Sequence, residues 1–142
     1  MPTSIRLAVA ADAARIADML TQEGYPTRTG VAATRLERFA TDDSVVYVAE
    51  ADGETIGFIA LHAMPRFEHD DVAVRVVALA VDTMARARGV GHALMGAAEA
   101  FARGHGAAFI EVTSGHHRAE ARKLYEAVGF DASLTGYLRK RL

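Results

Sequence analysis

Residues 72–95 read VAVRVVALAVDTMARARGVGHALM, and this stretch decides the fold. Its first ten residues are apolar on both alternations apart from Arg75, which is typical of a central strand covered on both faces. Val90 and Leu94 then begin a helical spacing that continues to Phe101. Two arginines and two glycines lie between the strand and the helix. Glycine at such a junction indicates a sharp turn or a close approach of the backbone to a ligand.

The composition limits the classes of protein that the chain can belong to. It has 142 residues without repeats or linker-like segments, so we expect a single domain over residues 1–142. A net charge of −2 gives no overall basic field, which disfavours nucleic acid as a partner. The absence of cysteine excludes disulfides, thiolate metal sites and cysteine nucleophiles. No leader pattern or membrane-spanning apolar run is evident, so we expect a cytoplasmic protein with no membrane partner.

The residues before the central strand predict a strand, two helices and a hairpin. The segment SIRLAVA (4–10) alternates like a strand, and Asp12 is a candidate N-cap for the helix that follows it. VAATRLERFAT (31–41) is a short amphipathic helix candidate. SVVYVAEADGETIGFIALHAM (44–64) predicts two antiparallel strands joined by a turn at Asp52-Gly53.

The residues after the glycines predict two helices and two strands. The first helix ends at Gly104 and Gly106, and AAFIEVT (107–113) is the next strand. The second helix carries an i, i+3, i+4, i+7 apolar stripe and ends before Gly129. SLTGYLRKR (133–141) predicts a final strand. The order βααβββαβαβ predicts an α/β (α+β) fold with a mixed, mostly antiparallel central sheet flanked by helices. The sheet is antiparallel at first and has one β-α-β crossover near residues 72–113.

The glycines therefore follow the carboxyl end of a central strand and open a helix, where open α/β sheets bind ligands. A helix start offers unpaired N–H groups and positive potential, so an anion fits there. Gly89 and Gly91 allow the main chain to approach phosphate oxygens, and Arg86 and Arg88 bring charge. Neither the P-loop pattern nor the full dinucleotide fingerprint is present. The alternatives are a tight turn without a ligand for the glycines and a solvated surface for the arginines.

Two motifs resemble the Gcn5-related N-acetyltransferase (GNAT) family. The first is R-x-x-G-x-G at residues 86–91, within LAVDTMARARGVGHALMGAAEAFAR. The second is the A-x-x-L-Y-E-x-x-G-F ending of FIEVTSGHHRAEARKLYEAVGF. The resemblance is specific over residues 45–130 and weak over residues 4–25. It implies the GNAT-like acyl-CoA N-acyltransferase fold and an acetyl-CoA-dependent N-acetyltransferase.

The resemblance also implies a cofactor site and partners. Pantetheine would pair with the backbone of residues 79–81, and the amides of residues 88–92 would cradle the pyrophosphate. The implied cofactor-binding residues are Leu79, Ala80, Val81, Arg86, Arg88, Gly89, Val90, Gly91, His92, Arg118 and Tyr125. Arg118 stands where many relatives carry asparagine, and it either reaches a CoA phosphate or lies on the surface. The implied partners are acetyl-CoA as acyl donor and an amine acceptor, a small molecule or a protein, with no metal.

The transfer needs a neutral amine, a polarised carbonyl and a protonated leaving thiolate. A backbone N–H near Val81 can polarise the carbonyl. Tyr125 matches the family's tyrosine that donates a proton to the CoA sulfur, although a large core residue on the apolar stripe is the alternative. Many members place a carboxylate on the fourth strand as general base, but this chain has Val77 and Ala78 there.

Base candidates therefore lie elsewhere, and spacing singles out none of them. They are His62, Glu68, His69 and Glu111. The acidic loop with Glu68, Asp70 and Asp71 suggests a cationic acceptor. The histidines of GHH (115–117) are adjacent and show no third ligand, which disfavours a metal site. The alternative function is a catalytically inactive acyl-CoA-binding regulatory module, and a homodimer is possible on general grounds.

Overall fold

The helices and strands are taken from a computed structural model that describes residues 2–86, 88–113 and 119–142. In chain order they are β1 (Ser4–Leu7), α1 (Ala13–Gln22), α2 (Thr29–Arg38), β2 (Ser44–Ala51), β3 (Glu54–Pro65), β4 (Val72–Val81), α3 (Val90–Gly104), β5 (Ala107–Val112) and α4 (Ala119–Ala127). Single 3-10 turns lie at Ala10–Asp12 and Thr83–Ala85. The predicted fold class is confirmed.

The described strands form one sheet in the order β1-β2-β3-β4-β5. Neighbours from β1 to β4 are antiparallel, whereas β4 and β5 are parallel and joined through α3, as the sequence predicts. The β2–β3 hairpin turns at Asp52 and Gly53, which have φ values of 53° and 76°. Two consecutive residues in the left-handed region favour the twist of a tight hairpin, which explains the Asp-Gly pair.

Each face of the sheet carries its own buried cluster, because β3 alternates between them. Ile59 and Leu61 point to the face covered by α3, whose buried residues include Leu94 and Met95. Phe58 points to the other face, which α1 and α2 cover. The α3 layer and the α1–α2 layer therefore enclose the sheet from opposite sides.

A β-bulge in β4 determines where the sheet opens. Ala60 on β3 pairs with Ala78 and Leu61 pairs with Val76, so Val77 is an extra residue in β4. Beyond the bulge, no described residue of β5 pairs with β4, since the parallel ladder ends at Val76. β4 continues to Val81, whereas the described part of β5 ends at Val112, the partner of Val76. Val77 is 49% exposed, so the prediction that β4 is covered on both faces is wrong at this point.

Asp12 directly precedes α1, but its carboxylate does not cap that helix. It accepts two hydrogen bonds from Arg6, at 2.8 and 2.9 Å, and others from the Val9 N–H and the Thr55 hydroxyl. Burial raises the pKa of Asp12, but the hydrogen bonds from Arg6, Val9 and Thr55 outweigh burial and lower it to about 2. The predicted N-cap is thus a buried carboxylate that pairs with Arg6 and joins β1 to β3 and to the start of α1.

Two predicted strands differ from the structure. The first is shorter than expected, since β1 ends at Leu7. The predicted strand at residues 133–141 is wrong, because this segment forms no ladder with the described strands. Leu134 and Leu138 are 78% and 96% exposed, so the alternation of that segment has no buried face to match.

Candidate active site

A cleft of about 640 Å³ lies beside the end of β4, beyond the last residue that β4 pairs with β5. Its walls come from the end of β4, the loop after it, the start of α3, the first turns of α4 and the end of α1. The lining residues are Gln22, Glu23, Leu79, Ala80, Val81, Ala85, Arg86, Gly89, Val90, Gly91, His92, Thr113, Glu120, Ala121, Leu124 and Tyr125. Most residues that the sequence selects as a cofactor site are therefore brought together.

The end of β4, which has no β5 partner, forms the floor of the cleft. Backbone N–H and C=O groups of a strand point alternately to its two neighbours. From Leu79 to Val81, β4 still pairs with β3, but no described strand lies on its other side. Backbone groups of this segment therefore face the cleft, where an extended ligand can pair with them as a strand would.

The start of α3 forms the second wall. Gly89 has a φ of 76° at the N-cap position, a left-handed conformation that L side chains rarely adopt. The N–H groups of Val90, Gly91 and His92 belong to the first turn, which has no carbonyl partner within the helix. Together with the helix dipole they favour an anion. Arg88 and His92 are exposed beside this turn.

Gly91 also meets a packing requirement that the sequence does not reveal. A Cβ at this position would lie 2.8 Å from Cδ2 of Leu124, so the absence of a side chain allows α4 to pack against the first turn of α3. Gly89 has no atom within 4 Å of such a Cβ, and it is the positive φ that requires glycine there. One glycine thus shapes the backbone, while the other admits a neighbouring helix.

The loop between β4 and α3 is attached to α1. Asp82 accepts hydrogen bonds from the Met84 N–H and from Arg15, and the Thr83 N–H donates to Gln22. The Met84 N–H, followed by Arg15, holds the pKa of Asp82 below its ordinary range despite burial. These contacts fix the loop before it reaches the glycines.

Arg86 borders one side of the cleft and pairs with Glu23, the residue that directly follows α1. Its Nη2 donates to Oε1 of Glu23 at 2.9 Å, and its Nε donates to the Val81 carbonyl at 3.4 Å. Sequence reasoning did not find Gln22 or Glu23 as lining residues, because helix α1 meets this loop only through tertiary packing. Thr113 and Glu120 were also missed.

Tyr125 lines the cleft from α4 and is half-buried. Its ring lies 5.6 Å from the Phe130 ring in an edge-to-face arrangement, which fixes it from the core side. The predicted roles of this tyrosine, as core residue and as cleft residue, therefore do not exclude each other. Arg118 lies outside the described residues.

The structure does not bring the candidate bases into the cleft. His62 pairs in register with Arg75, and its Nδ1 lies 2.8 Å from the Ser44 hydroxyl oxygen. Glu111 holds an ion pair with Arg75 at 3.2 Å. Arg75 is four residues before Leu79, the first β4 residue of the cleft lining, which corresponds to about 13 Å of strand.

The acidic loop lies still further from the cleft. It contains Glu68 and His69 and precedes Val72. Val72 is seven residues, or about 23 Å of strand, before Leu79, the first β4 residue of the cleft lining. Asp71 is engaged by Arg66 through hydrogen bonds of 2.6 and 2.9 Å. Arg66 holds the pKa of Asp71 below its ordinary value. The described residues that line the cleft therefore include none from this loop.

The comparison with known proteins agrees with this geometry. A sequence model described as the acetyltransferase (GNAT) family matches residues 12–130. The chain belongs to the acetyltransferase (GNAT) family. As a GNAT protein it is an acetyl-CoA-dependent N-acetyltransferase, and the resemblance seen in the sequence is confirmed.

Similar proteins share its length and fold. The uncharacterized N-acetyltransferase YhfO of Bacillus subtilis (strain 168) is 33% identical over 144 residues, which cover 95% of this chain and 93% of that one. The ribosomal-protein-alanine N-acetyltransferase of Brucella melitensis biovar Abortus 2308 has a TM-score of 0.82 at 20% identity, covering 99% of both chains. The structure of AAC(6')-Iy, in complex with the bisubstrate analog CoA-S-monomethyl-acetylneamine, has a TM-score of 0.82 at 20% identity, covering 100% of both.

The described part of the chain lacks two further features. No helix there is long and apolar enough to cross a membrane. Among residues 2–86, 88–113 and 119–142, no three histidine or carboxylate side chains lie close enough to hold a metal ion.

Proposed function

We propose that acetyl-CoA binds in the cleft between β4 and β5 and that its acetyl group passes there to a primary amine. The observation that carries the proposal is that β4 continues past Val76, its last residue with a β5 partner, directly beside the first turn of α3. One wall presents unpaired strand groups and the other presents helix N–H groups. An amide-containing arm and a phosphate group are the chemistry that matches these two walls.

The cleft has the size and charge that such a substrate needs. Its volume of about 640 Å³ is within the range of about 300–1,000 Å³ that is usual for small-molecule sites. Arg88 is exposed just before the N-terminus of α3, and its guanidinium forms no ion pair with a described residue. The pyrophosphate lies at the amides of Val90, Gly91 and His92, with Arg88 beside it, and the pantetheine arm runs along Leu79–Val81.

The residues at the thioester end act by orientation and proton transfer. A neutral amine attacks the carbonyl carbon, the C–S bond breaks, and the amide nitrogen releases its second proton to water. An N–H of the Leu79–Val81 segment stabilises charge on the carbonyl oxygen. The Tyr125 hydroxyl gives its proton to the departing sulfur and regains one from water.

No carboxylate lies among the residues of β4 that enter the cleft, since Val77 and Ala78 stand at the bulge. The amine loses its first proton to water before attack. An amine with a pKa of about 10.4 is neutral in only about one part in a thousand near pH 7.4. We expect kcat/KM for the acceptor to rise about tenfold per pH unit until the pKa of the acceptor amine.

The test is release of CoA from acetyl-CoA in the presence of a panel of amines, followed by Tyr125→Phe. This variant keeps the ring contact with Phe130 but lacks the hydroxyl. We expect kcat to fall about 10²-fold with little change in KM for acetyl-CoA. Tyr137→Phe, on the exposed C-terminal segment, is the matched control.

An unchanged kcat in Tyr125→Phe would remove the tyrosine from the mechanism. Tight CoA binding without turnover by any amine would instead favour the regulatory module.

A further inference from the structure

A second pocket lies on the opposite face of the sheet, between the α1–α2 layer and strands β2–β4. Its volume is about 170 Å³. The lining is apolar except for one arginine, and consists of Ile16, Leu20, Ala32, Arg35, Leu36, Phe39, Val46, Phe58, Ala60, Val77 and Ala78. We call it the apolar pocket.

The apolar pocket adjoins the cleft at the β-bulge. Val77 and Ala78 line the apolar pocket, and Leu79, the next residue, lines the cleft. Strand residues rise about 3.3 Å each, so Val77 and Leu79 are about 7 Å apart along the strand. The bulge turns the exposed side chain of Val77 toward the pocket just where β4 leaves β5. A molecule in the apolar pocket can therefore present an amine to the thioester end of the cleft.

Arg35 gives the apolar pocket its chemical character. It lies one helical turn from Ala32 and one from Phe39 on the face of α2 that covers the sheet. The Arg35 side chain is exposed, and its guanidinium makes no hydrogen bond or ion pair with any residue of the described segments. No carboxylate is among the lining residues. An anion from a ligand is the natural partner of this guanidinium.

We propose that the apolar pocket holds the side chain of the amine acceptor and that Arg35 binds its carboxylate. The acceptor is then a free amino acid whose side chain is apolar and either aromatic or branched. This inference rests on the proposed function, because it assigns the second substrate of the same reaction. An apolar amino acid takes the place of the cationic acceptor that the acidic loop suggested in the sequence. That loop lies at the other end of β4, and Asp71 is engaged by Arg66.

The volume fits one side chain rather than a whole ligand. An apolar cavity of about 150 Å³ is known to hold a benzene molecule. The apolar pocket is slightly larger, so a phenyl or isobutyl group fits within it while the amine and carboxylate remain at its mouth. Burial of such a group strengthens binding about tenfold to a hundredfold over glycine, which has no side chain.

The test compares L-phenylalanine with glycine, phenethylamine and spermidine as acceptors. Phenethylamine lacks the carboxylate, glycine lacks the side chain, and spermidine represents a cationic acceptor. We expect kcat/KM for L-phenylalanine to exceed each of the others about tenfold or more. Arg35→Gln should lower kcat/KM for L-phenylalanine and so remove its advantage over phenethylamine. Arg38→Gln makes the same charge change on the same helix but outside the pocket lining. This variant should keep the advantage of L-phenylalanine over phenethylamine.

A binding measurement keeps the two proposals separable. CoA is titrated into the protein first, and L-phenylalanine is then titrated into the CoA-saturated protein by calorimetry. If CoA binds but L-phenylalanine neither binds nor reacts, or if phenethylamine matches it, the acceptor inference is wrong and the proposed function stands. If Arg38→Gln acts like Arg35→Gln, the role of Arg35 is wrong. If CoA does not bind, the proposed function fails.

Discussion

The guanidinium of Arg86 lies 2.9 Å from Oε1 of Glu23, across the side of the cleft where the β4–α3 loop meets α1. The motif arginine is therefore committed to a carboxylate of the same chain and to the Val81 carbonyl, at 3.4 Å from its Nε. A negative side chain stands within a cleft that we assign to a phosphate-bearing substrate. The Glu23 carboxylate therefore weakens the binding of the phosphate groups of CoA, because it occupies the Arg86 guanidinium.

Removing this carboxylate is expected to strengthen CoA binding. Glu23→Gln keeps the shape of the side chain but releases Arg86 for phosphate. Exposed ion pairs contribute about 0.2–1 kcal/mol, so the Kd of CoA should fall by a factor between about 1.4 and 5. Calorimetric titration measures this change, and Glu37→Gln on α2, outside the cleft lining, is the control. Weaker binding in Glu23→Gln would show that the pair maintains the cleft instead of competing with the substrate.

Gly57 on β3 is expected to tolerate no side chain. A Cβ there would lie 2.9 Å from Cγ1 of Val90 and 3.3 Å from the Ala80 carbonyl oxygen, so Gly57→Ala pushes the start of α3 off the sheet. Overpacking of this kind costs about 1–3 kcal/mol. Thermal unfolding should show a lower Tm.

The matched control is Gly96→Ala on α3. A Cβ at Gly96 has no atom within 4 Å, and alanine in a helix interior should raise stability by about 0.5–1 kcal/mol. Equal Tm values for the two variants would contradict the close packing of α3 on β3.

His105 is expected to make stability depend on pH. Its Nε2 lies 3.0 Å from the Asp42 carbonyl oxygen and its Nδ1 lies 3.1 Å from that of Phe101, so both nitrogens donate only in the imidazolium form. The hydrogen bond to Asp42, followed by that to Phe101, raises the pKa of His105 above its ordinary value. A raised native pKa gives stability that is complete below the unfolded pKa of about 6.5 and is lost as pH rises through the native pKa.

His105→Gln should therefore reduce the free energy of unfolding more at pH 5.5 than at pH 8.5. Urea unfolding at both values measures the difference, and His92→Gln at the other end of α3 is the control. A loss from His105→Gln that is the same at both pH values would mean that the imidazole acts only through its contact with the Phe101 ring.

Local patterns in the sequence predicted the elements that position the cleft. Asp52-Gly53 indicated the hairpin because both residues favour left-handed φ values. Gly106 and Gly129 indicated helix ends, and they too have positive φ. The β4–α3–β5 crossover followed from an apolar run, a helical stripe and a second apolar run.

Features that depend on pairing between distant residues could not be predicted in the same way. The bulge at Val77 is hidden because β4 is apolar on both alternations, so an inserted residue leaves no break in the pattern. The Arg86–Glu23 pair joins positions 63 residues apart, and nothing near either residue signals the other. Residues 133–141 alternate like a strand, but alternation alone does not supply a neighbouring strand.

The most direct measurement for the central claim is the Kd of CoA for wild-type protein, Arg88→Glu and Arg103→Glu. Both substitutions make the same charge change at exposed positions near α3, but Arg88 lies at the N-terminal end and Arg103 in the last turn. A pyrophosphate at the first turn predicts a Kd raised about tenfold or more by Arg88→Glu and little changed by Arg103→Glu. Equal effects of the two variants, or none from Arg88→Glu, would contradict the placement of CoA in the cleft.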